Sequence, residues 1–179
     1  MRVVAGTCGG RVIQAPKGDT TRPTSDRVRE ALFSVLGFDA VRDARVLDLY
    51  AGSGALGIEA LSRGAAAASF VDCSAAAVAV IRANLANLGL QAEVVRMKAA
   101  RAIASAPLAD RQYDLVFIDP PYRMASEAAA ELSPKLPAIL TSGALVVAES
   151  HRRVPLELDL PLLGERRYGD TLIRTYVSQ

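Results

Sequence analysis

The segment Asp48-Leu49-Tyr50-Ala51-Gly52-Ser53-Gly54-Ala55-Leu56-Gly57 constrains this chain more than any other. It follows the apolar run Arg45–Leu49, which reads as a strand, and leads into a helical pattern over residues 55–63. Gly52, Gly54 and Gly57 satisfy G-x-G-x-x-G between a strand and a helix, the setting in which this spacing marks a nucleotide-binding turn. Such a turn belongs at the carboxyl edge of a parallel sheet, and the rest of the chain supplies the sheet. Further strands are expected at 69–72, 93–97, 115–118 and 145–149, and helices at Ala75–Leu88, 99–105 and 125–136. Strands alternating with helices in this way make a parallel sheet covered on both faces. The tail differs: residues 165–168, a turn at Gly169-Asp170, then 172–177 read as a terminal hairpin adding antiparallel strands at the sheet edge. The expected fold class is therefore α/β and Rossmann-like, with a mostly parallel seven-stranded sheet.

Upstream of that core, residues 2–6 and 11–15 read as a small β-hairpin around a turn at 7–10, with Gly9-Gly10 as the turn signal. A loop rich in turn formers follows at 16–23. Thr24-Ser25-Asp26 offers helix N-cap chemistry, Val28, Leu32, Val35 and Leu36 form an apolar stripe, and Gly37 stops the helix. The expected organisation is an N-terminal hairpin and loop at 1–23, suited to RNA docking, and one larger domain at 24–179 with no linker inside it. The length of 179 residues fits one such domain. No apolar run approaches the roughly 20 residues of a membrane span, the N-terminus has no signal-peptide core, and Cys8 and Cys73 match no metal spacing. These features predict a cytoplasmic protein with reduced thiols, no membrane partner and no metal, and a monomer is expected.

The glycine turn alone does not separate a dinucleotide enzyme from a methyltransferase. Both use an acidic residue at the end of the second strand for ribose hydroxyls, and Asp72 stands there, 20 residues after Gly52. Asp48 distinguishes them. It lies four residues before Gly52, where a carboxylate repels a pyrophosphate by a Coulomb energy of several kcal/mol at protein-like dielectric but welcomes an ammonium and a sulfonium. The spacing D-x-x-x-G-x-G favours S-adenosylmethionine, with Asp48, Tyr50, Ala51, Gly52, Ser53, Gly54, Gly57 and Asp72 as its expected binding residues.

The fourth expected strand ends in Asp119-Pro120-Pro121-Tyr122, facing the ligand crevice. Two prolines fix the backbone and remove two N–H donors, leaving carbonyls free to accept. An exocyclic amine on a nucleic-acid base needs such acceptors, because its lone pair is delocalised into the ring. Hydrogen bonds to the Asp119 carboxylate and the Pro120 carbonyl orient the nitrogen and accommodate the charge that develops as a methyl group arrives. Tyr122 is suited to stacking on an unpaired base. Asp119, Pro120 and Tyr122 are the expected catalytic residues. His151, beside Arg152-Arg153, reads as a solvated loop residue. Two basic groups, one with Arg2, Arg11, Lys17, Arg22, Arg27 and Arg29, the other with Arg152, Arg153, Arg166 and Arg167, suit phosphate contacts around the site.

Beyond these readings, the block Arg22-Pro23-Thr24-Ser25-Asp26-Arg27-Val28-Arg29-Glu30-Ala31-Leu32-Phe33 and the stretch from Leu47 to Ala65 resemble the RsmD family of bacterial 16S ribosomal RNA guanine-N2 methyltransferases, as does the hairpin with Gly6 and Gly10-Arg11. The resemblance spans essentially the whole chain. It implies a class I S-adenosylmethionine-dependent methyltransferase that modifies one guanine N2 in a hairpin loop of 16S rRNA, with an assembled or nearly assembled 30S subunit as its partner. It also implies that Arg22, Pro23, Thr24, Arg27 and Arg29 face the RNA. One position departs from the family's pattern. Where members often carry Asn or Asp after the third strand to hold the adenine amino group, this chain has Met97-Lys98-Ala99-Ala100. Three other readings compete: an amino-methyltransferase acting on DNA adenine N6 or a protein glutamine, which the lack of a separate target-recognition domain disfavours; a non-catalytic 30S assembly factor retaining the fold, which intact Asp48 and Asp119 to Tyr122 disfavour; and a dehydrogenase, which Asp48 disfavours.

Overall fold

The computed structural model describes residues 1–16, 26–105 and 111–179. The elements, in chain order, are α1 (Asp26–Leu36), β1 (Arg45–Leu49), α2 (Ala55–Ser62), β2 (Ala67–Asp72), α3 (Ala75–Leu88), β3 (Glu93–Arg96), α4 (Ala99–Ile103), β4 (Tyr113–Ile118), α5 (Ala125–Leu132), β5 (Leu140–His151), β6 (Leu162–Tyr168) and β7 (Thr171–Val177). Short 3-10 turns occupy Tyr122–Met124 and Leu136–Ile139. One seven-stranded sheet runs β3-β2-β1-β4-β5-β7-β6. The first five strands in that order are parallel and β7 pairs antiparallel with both β5 and β6, as the terminal hairpin requires.

This order fixes where a ligand can sit. The chain builds outward from β1 to β3 on one side, then returns to lay β4 on the other side of β1. The loops after β1 and β4 therefore leave in opposite directions and open a crevice at the carboxyl ends of the two strands. Beyond Arg45 and Asp114 near their starts, both central strands are apolar apart from Asp48, and Leu47, Leu49, Leu115, Val116, Phe117 and Ile118 are fully buried. Burial on both faces is what a central parallel strand demands. One face is covered by α4 and α5, through Ala102, Ile103, Ala125, Ala128 and Leu132. The other is covered by α1, α2, α3 and the N-terminal segment, through Val3, Ile13, Phe33, Ile58 and Ile81.

Several boundaries differ from the sequence expectation for local reasons. The helix expected over 125–136 ends at Leu132, since Pro134 cannot donate a continuing helical bond, and a separate 3-10 turn follows. Strand β5 begins five residues early, because the ladder with β4 slips at Gly143 (φ 76°) and resumes at Leu145. In α1 the buried face carries Arg29, Leu32 and Phe33, and Val35 of the expected stripe is 53% exposed. The helix turns this way because Phe33 packs on Phe117 with ring centroids 5.7 Å apart.

The N-terminal hairpin keeps its turn but only one bridge between strands, Arg2 with Val12. Val3, Gly10 and Ile13 still donate across the hairpin, to the Arg11, Val3 and Met1 carbonyls at 2.9, 2.8 and 3.1 Å, but other donors go to α2. Val4 and Ala5 donate to the fully buried Glu59 carboxylate of α2 at 2.7 and 3.0 Å, and Cys8 donates to Ser62 Oγ at 2.9 Å. A β-carbon on Gly6 would stand 1.8 Å from the Ser62 carbonyl oxygen, so the turn presses directly on the end of α2. Among the described residues, no helix is long and apolar enough to cross a membrane.

Candidate active site

The glycine turn after β1 is held in shape by two carboxylates. Tyr50 takes a left-handed conformation (φ 60°), unusual for a residue with a side chain, and Gly52 and Gly54 follow at φ 55° and 78°. Ala51 donates its N–H to the Val71 carbonyl of β2 at 3.1 Å, and Gly54 donates to the Ala51 carbonyl at 2.6 Å. Asp72, at the end of β2, accepts from Gly52 N–H through Oδ2 at 2.9 Å and from Ser74 N–H through Oδ1 at 2.8 Å. Each oxygen keeps a lone pair, so the same carboxylate can both brace the turn and accept from a sugar hydroxyl.

Asp48 lies beneath the turn, only 2% exposed, and its Oδ2 accepts from Gly57 N–H at 2.9 Å. Burial pushes its carboxyl up to about 8; the Gly57 bond opposes that rise and the neighbouring Asp72 charge adds to it. Gly57 is fixed by contact rather than by conformation. A β-carbon there would fall 2.4 Å from the Phe70 ring and 3.2 Å from Asp48 Oδ2, so only glycine lets α2 lie this close to β1 and β2. Burial likewise pushes the half-buried Tyr50 phenol up to about 12, with further contributions from Glu131, Glu127 and Cys73. The crevice end of the turn is thus lined by acids, a donor set suited to a cationic cofactor and unsuited to a pyrophosphate.

Asp119 to Tyr122 leaves β4 beside this turn. Leu49 and Ile118 are opposite each other in the ladder, and Asp119 N–H points back to the Leu49 carbonyl at 3.5 Å. Pro120 is buried, and Pro121 caps the 3-10 turn that carries Tyr122. The Tyr122 ring is 36% exposed and stands edge-on to His151, with centroids 5.3 Å apart and planes at 68°. Its hydroxyl lies 3.4 Å from Thr171 Oγ1. His151 is therefore not the solvated loop residue expected: it ends β5, is partly buried, and accepts Arg153 N–H on Nδ1 at 3.1 Å. Neither His151 nor Thr171 carried a sequence signal linking it to Tyr122, since the contacts span the whole C-terminal half.

Asn84 is a second residue the sequence did not single out. Nearly buried in α3, it accepts from Gln14 N–H at 2.9 Å and donates to the Gln14 and Ser53 carbonyls at 2.9 and 3.0 Å. It joins the N-terminal segment to the glycine turn. After β3, Met97 donates its N–H to the Asp72 carbonyl at 3.0 Å and packs its side chain on the core, while Lys98 is exposed at the start of α4. The segment that departs from the family's Asn or Asp thus offers a partly buried Met97 and an exposed Lys98.

The expected RNA-facing group divides. Arg22, Pro23 and Thr24 lie outside the described residues, as do Lys17 and the loop around it. Arg27 is exposed on α1. Arg29 is a correction: its side chain is fully buried, bonded to the Arg2 carbonyl, to Asp26 at 2.9 Å and to the Met1 thioether. It cannot reach a phosphate from there; it braces α1 against the N-terminal segment because its position falls on the buried face of the helix. Arg11, counted in the same basic group, donates to the Leu88 and Asn87 carbonyls at the end of α3.

A family model described as Conserved hypothetical protein 95 matches residues 1–177. The chain is 38% identical to YlbH of Bacillus subtilis, named as a candidate rRNA methyltransferase, over 98% of each protein. It is 40% identical to the ribosomal RNA small subunit methyltransferase D of Escherichia coli, over 69% of this chain and 61% of that one. Among solved structures, a candidate methyltransferase yhhF from Escherichia coli superposes with a TM-score of 0.84 at 35% identity, covering 100% of this chain and 98% of that one. The Thermus thermophilus 16S rRNA N2 G1207 methyltransferase RsmC, in complex with AdoMet and guanosine, superposes with a TM-score of 0.74 over 92% of this chain and 45% of its own. At 21% identity that last likeness concerns the fold alone.

Proposed function

The chain belongs to the RsmD family, the group described as conserved hypothetical protein 95, and from that premise we propose that it transfers a methyl group from S-adenosylmethionine to the exocyclic N2 of a guanine in a hairpin loop of 16S rRNA within the 30S subunit. The relatives' names support rRNA methylation as the broader reading. RsmC, a neighbour in fold, is named for the same atom of the same base and was solved with the same cofactor.

The observation that carries the proposal is the adjacency of two loops. The glycine turn, bounded by Asp48 and Asp72, and the Asp119–Tyr122 segment leave neighbouring strands at the same level, with Leu49 opposite Ile118. A cofactor and an amine held by these loops meet across the crevice. S-adenosylmethionine supplies an electrophilic methyl group on a sulfonium. Asp48 and Asp72 furnish the negative environment for its cationic groups, and Asp72 has lone pairs left for the ribose. The Asp119 carboxylate and the Pro120 carbonyl accept the two N–H bonds of the guanine amine, restraining it with its lone pair directed at the methyl carbon. The new N–C bond forms as the C–S bond breaks with its electron pair staying on sulfur. The surplus proton on nitrogen leaves to Asp119 and then to water. Tyr122 stacks on the base, and a loop base costs little unstacking energy.

The test is transfer of labelled methyl from S-adenosylmethionine to 30S particles, naked small-subunit rRNA and DNA, with the product nucleoside identified by mass spectrometry. N2-methylguanosine from 30S particles is the expected result. Methyladenine in DNA, or no transfer despite bound cofactor, overturns the proposal.

A further inference from the structure

Charge is segregated around the crevice. The cofactor end is acidic, with Asp48 and Asp72 at the turn and Glu127 and Glu131 close enough to act on Tyr50. The Tyr122 end carries two exposed arginines. Arg123 follows Tyr122 directly in the 3-10 turn, and Arg153 is fastened through its N–H to His151, whose ring lies against Tyr122. Neither guanidinium takes part in an ion pair among the described residues.

Most neighbouring cations are committed. Arg152 donates its N–H to the Asp170 carbonyl and its Nε to Asp170 Oδ1, each at 2.9 Å, which pins the end of β5 to the β6–β7 turn. Arg167 and Arg174 converge on Glu165. In the N-terminal group, Arg11 and Arg29 are spent on backbone carbonyls. The Arg152 anchor matters here because it holds Arg153 in place beside the Tyr122–His151 contact while leaving its side chain in solvent. Two exposed cations outside any ion pair among the described residues, Arg123 next to Tyr122 in the chain and Arg153 tied by its N–H to His151 with its charge also felt by Asp170, therefore lie beside one partly exposed aromatic ring, the arrangement that single-stranded nucleic acid selects: phosphates on the charges and a base on the ring.

We infer that the RNA strand carrying the target base docks on the rim formed by the 3-10 turn after β4 and the end of β5, with Arg123 and Arg153 taking the phosphates on either side of the base that stacks on Tyr122. This rests on the reading of Tyr122 as the base platform. It moves the docking face away from the N-terminal arginines and gives the terminal hairpin a role, since its turn secures the segment that presents Arg153.

The test is equilibrium binding of naked small-subunit rRNA between about 50 and 200 mM salt, comparing the unaltered protein, Arg123→Gln with Arg153→Gln, and Arg27→Gln. Losing two single-strand phosphate contacts should lower the slope of log K against log salt by about 1.4 in the double variant, with cofactor affinity and melting temperature unchanged. An unchanged slope in the double variant overturns the inference, as does a loss of slope confined to Arg27→Gln. Turnover of Tyr122→Ala is read separately. Unchanged turnover removes the stacking reading and with it the central part of the rim, whereas reduced turnover beside an unchanged slope in the arginine variant leaves that reading standing and sinks the docking face alone.

Discussion

At the scale of single residues, Asp48 works through its burial. The folded protein holds its carboxyl at about 8, against an ordinary 3.8, so between about 4 and about 8 the native state keeps a proton that the unfolded chain has released. More protons are bound in the native state, so this group makes stability fall as pH rises from about 4 to about 8, and the loss is complete above that. A cationic cofactor reverses the preference by favouring the carboxylate, so binding should release a proton, and affinity should rise with pH up to about 8 and then level. Asp48→Asn keeps an oxygen for Gly57 N–H and removes the charge. We expect its ligand-free form to melt above the unaltered protein at pH 8 and level with it near pH 4, and to bind S-adenosylmethionine at least tenfold more weakly with no dependence on pH. Thermal melts and calorimetry across that range check both halves; a variant with the original pH-dependent affinity would mean that another group senses the cofactor. The sequence disclosed Asp48 by its distance from Gly52. It could not disclose that the side chain lies under the turn, because that follows from how closely α2 packs.

Elements were legible where one local pattern decided them. The strand, turn and helix around Gly52 and the alternation through β5 follow from short-range periodicity, and so does the terminal hairpin. What escaped was decided by contacts distant in sequence. The N-terminal pairing stops short of the expected strands because Glu59, more than fifty residues on, takes the N–H groups of Val4 and Ala5. Arg29 looked like one more surface arginine of a basic block until the rotation of α1, set by Phe33 against Phe117, turned it inward. Packing of α2 on the sheet offers the sharpest element-level prediction. Gly57→Ala drives a methyl group into the Phe70 ring, at 2.4 Å before any relaxation, and towards Asp48. Overpacking of this kind costs about 1–3 kcal/mol. The helix can relieve it only by moving off β2, which breaks the Asp48 bond and carries the start of α2 away from the cofactor. Both a lower melting temperature and weaker cofactor binding are expected, and a variant with normal binding would show that the turn tolerates a displaced α2.

Across the whole molecule, the proposed function has the crevice divide the labour between two loops, and ligand-linked stability can read each of them separately. On the proposed function, the turn after β1 holds the cofactor and the segments after β4 and β5 face the target, with Leu49 and Ile118 opposite each other where the two loops leave the sheet. Cofactor at about a hundred times its dissociation constant stabilises the native state by about 2.7 kcal/mol, which for a domain of this size raises the melting temperature by about 5–10 °C. Asp72→Ala removes both the ribose acceptor and the brace on Gly52, so most of that rise should vanish. Asp119→Ala lies on the target side and should keep the full rise while methyl transfer falls by about 100- to 1,000-fold, the usual cost of removing one group that stabilises developing charge. The two variants thus exchange phenotypes: one loses the thermal shift, and the other keeps it but loses turnover. If Asp119→Ala lost the shift as well, the loop after β4 would be part of the cofactor site and the division of the crevice would fail. If it kept both the shift and near-normal turnover, the amine would be held by groups other than Asp119, and the chemical role read from Asp119-Pro120-Pro121-Tyr122 would fall to the backbone of the segment alone.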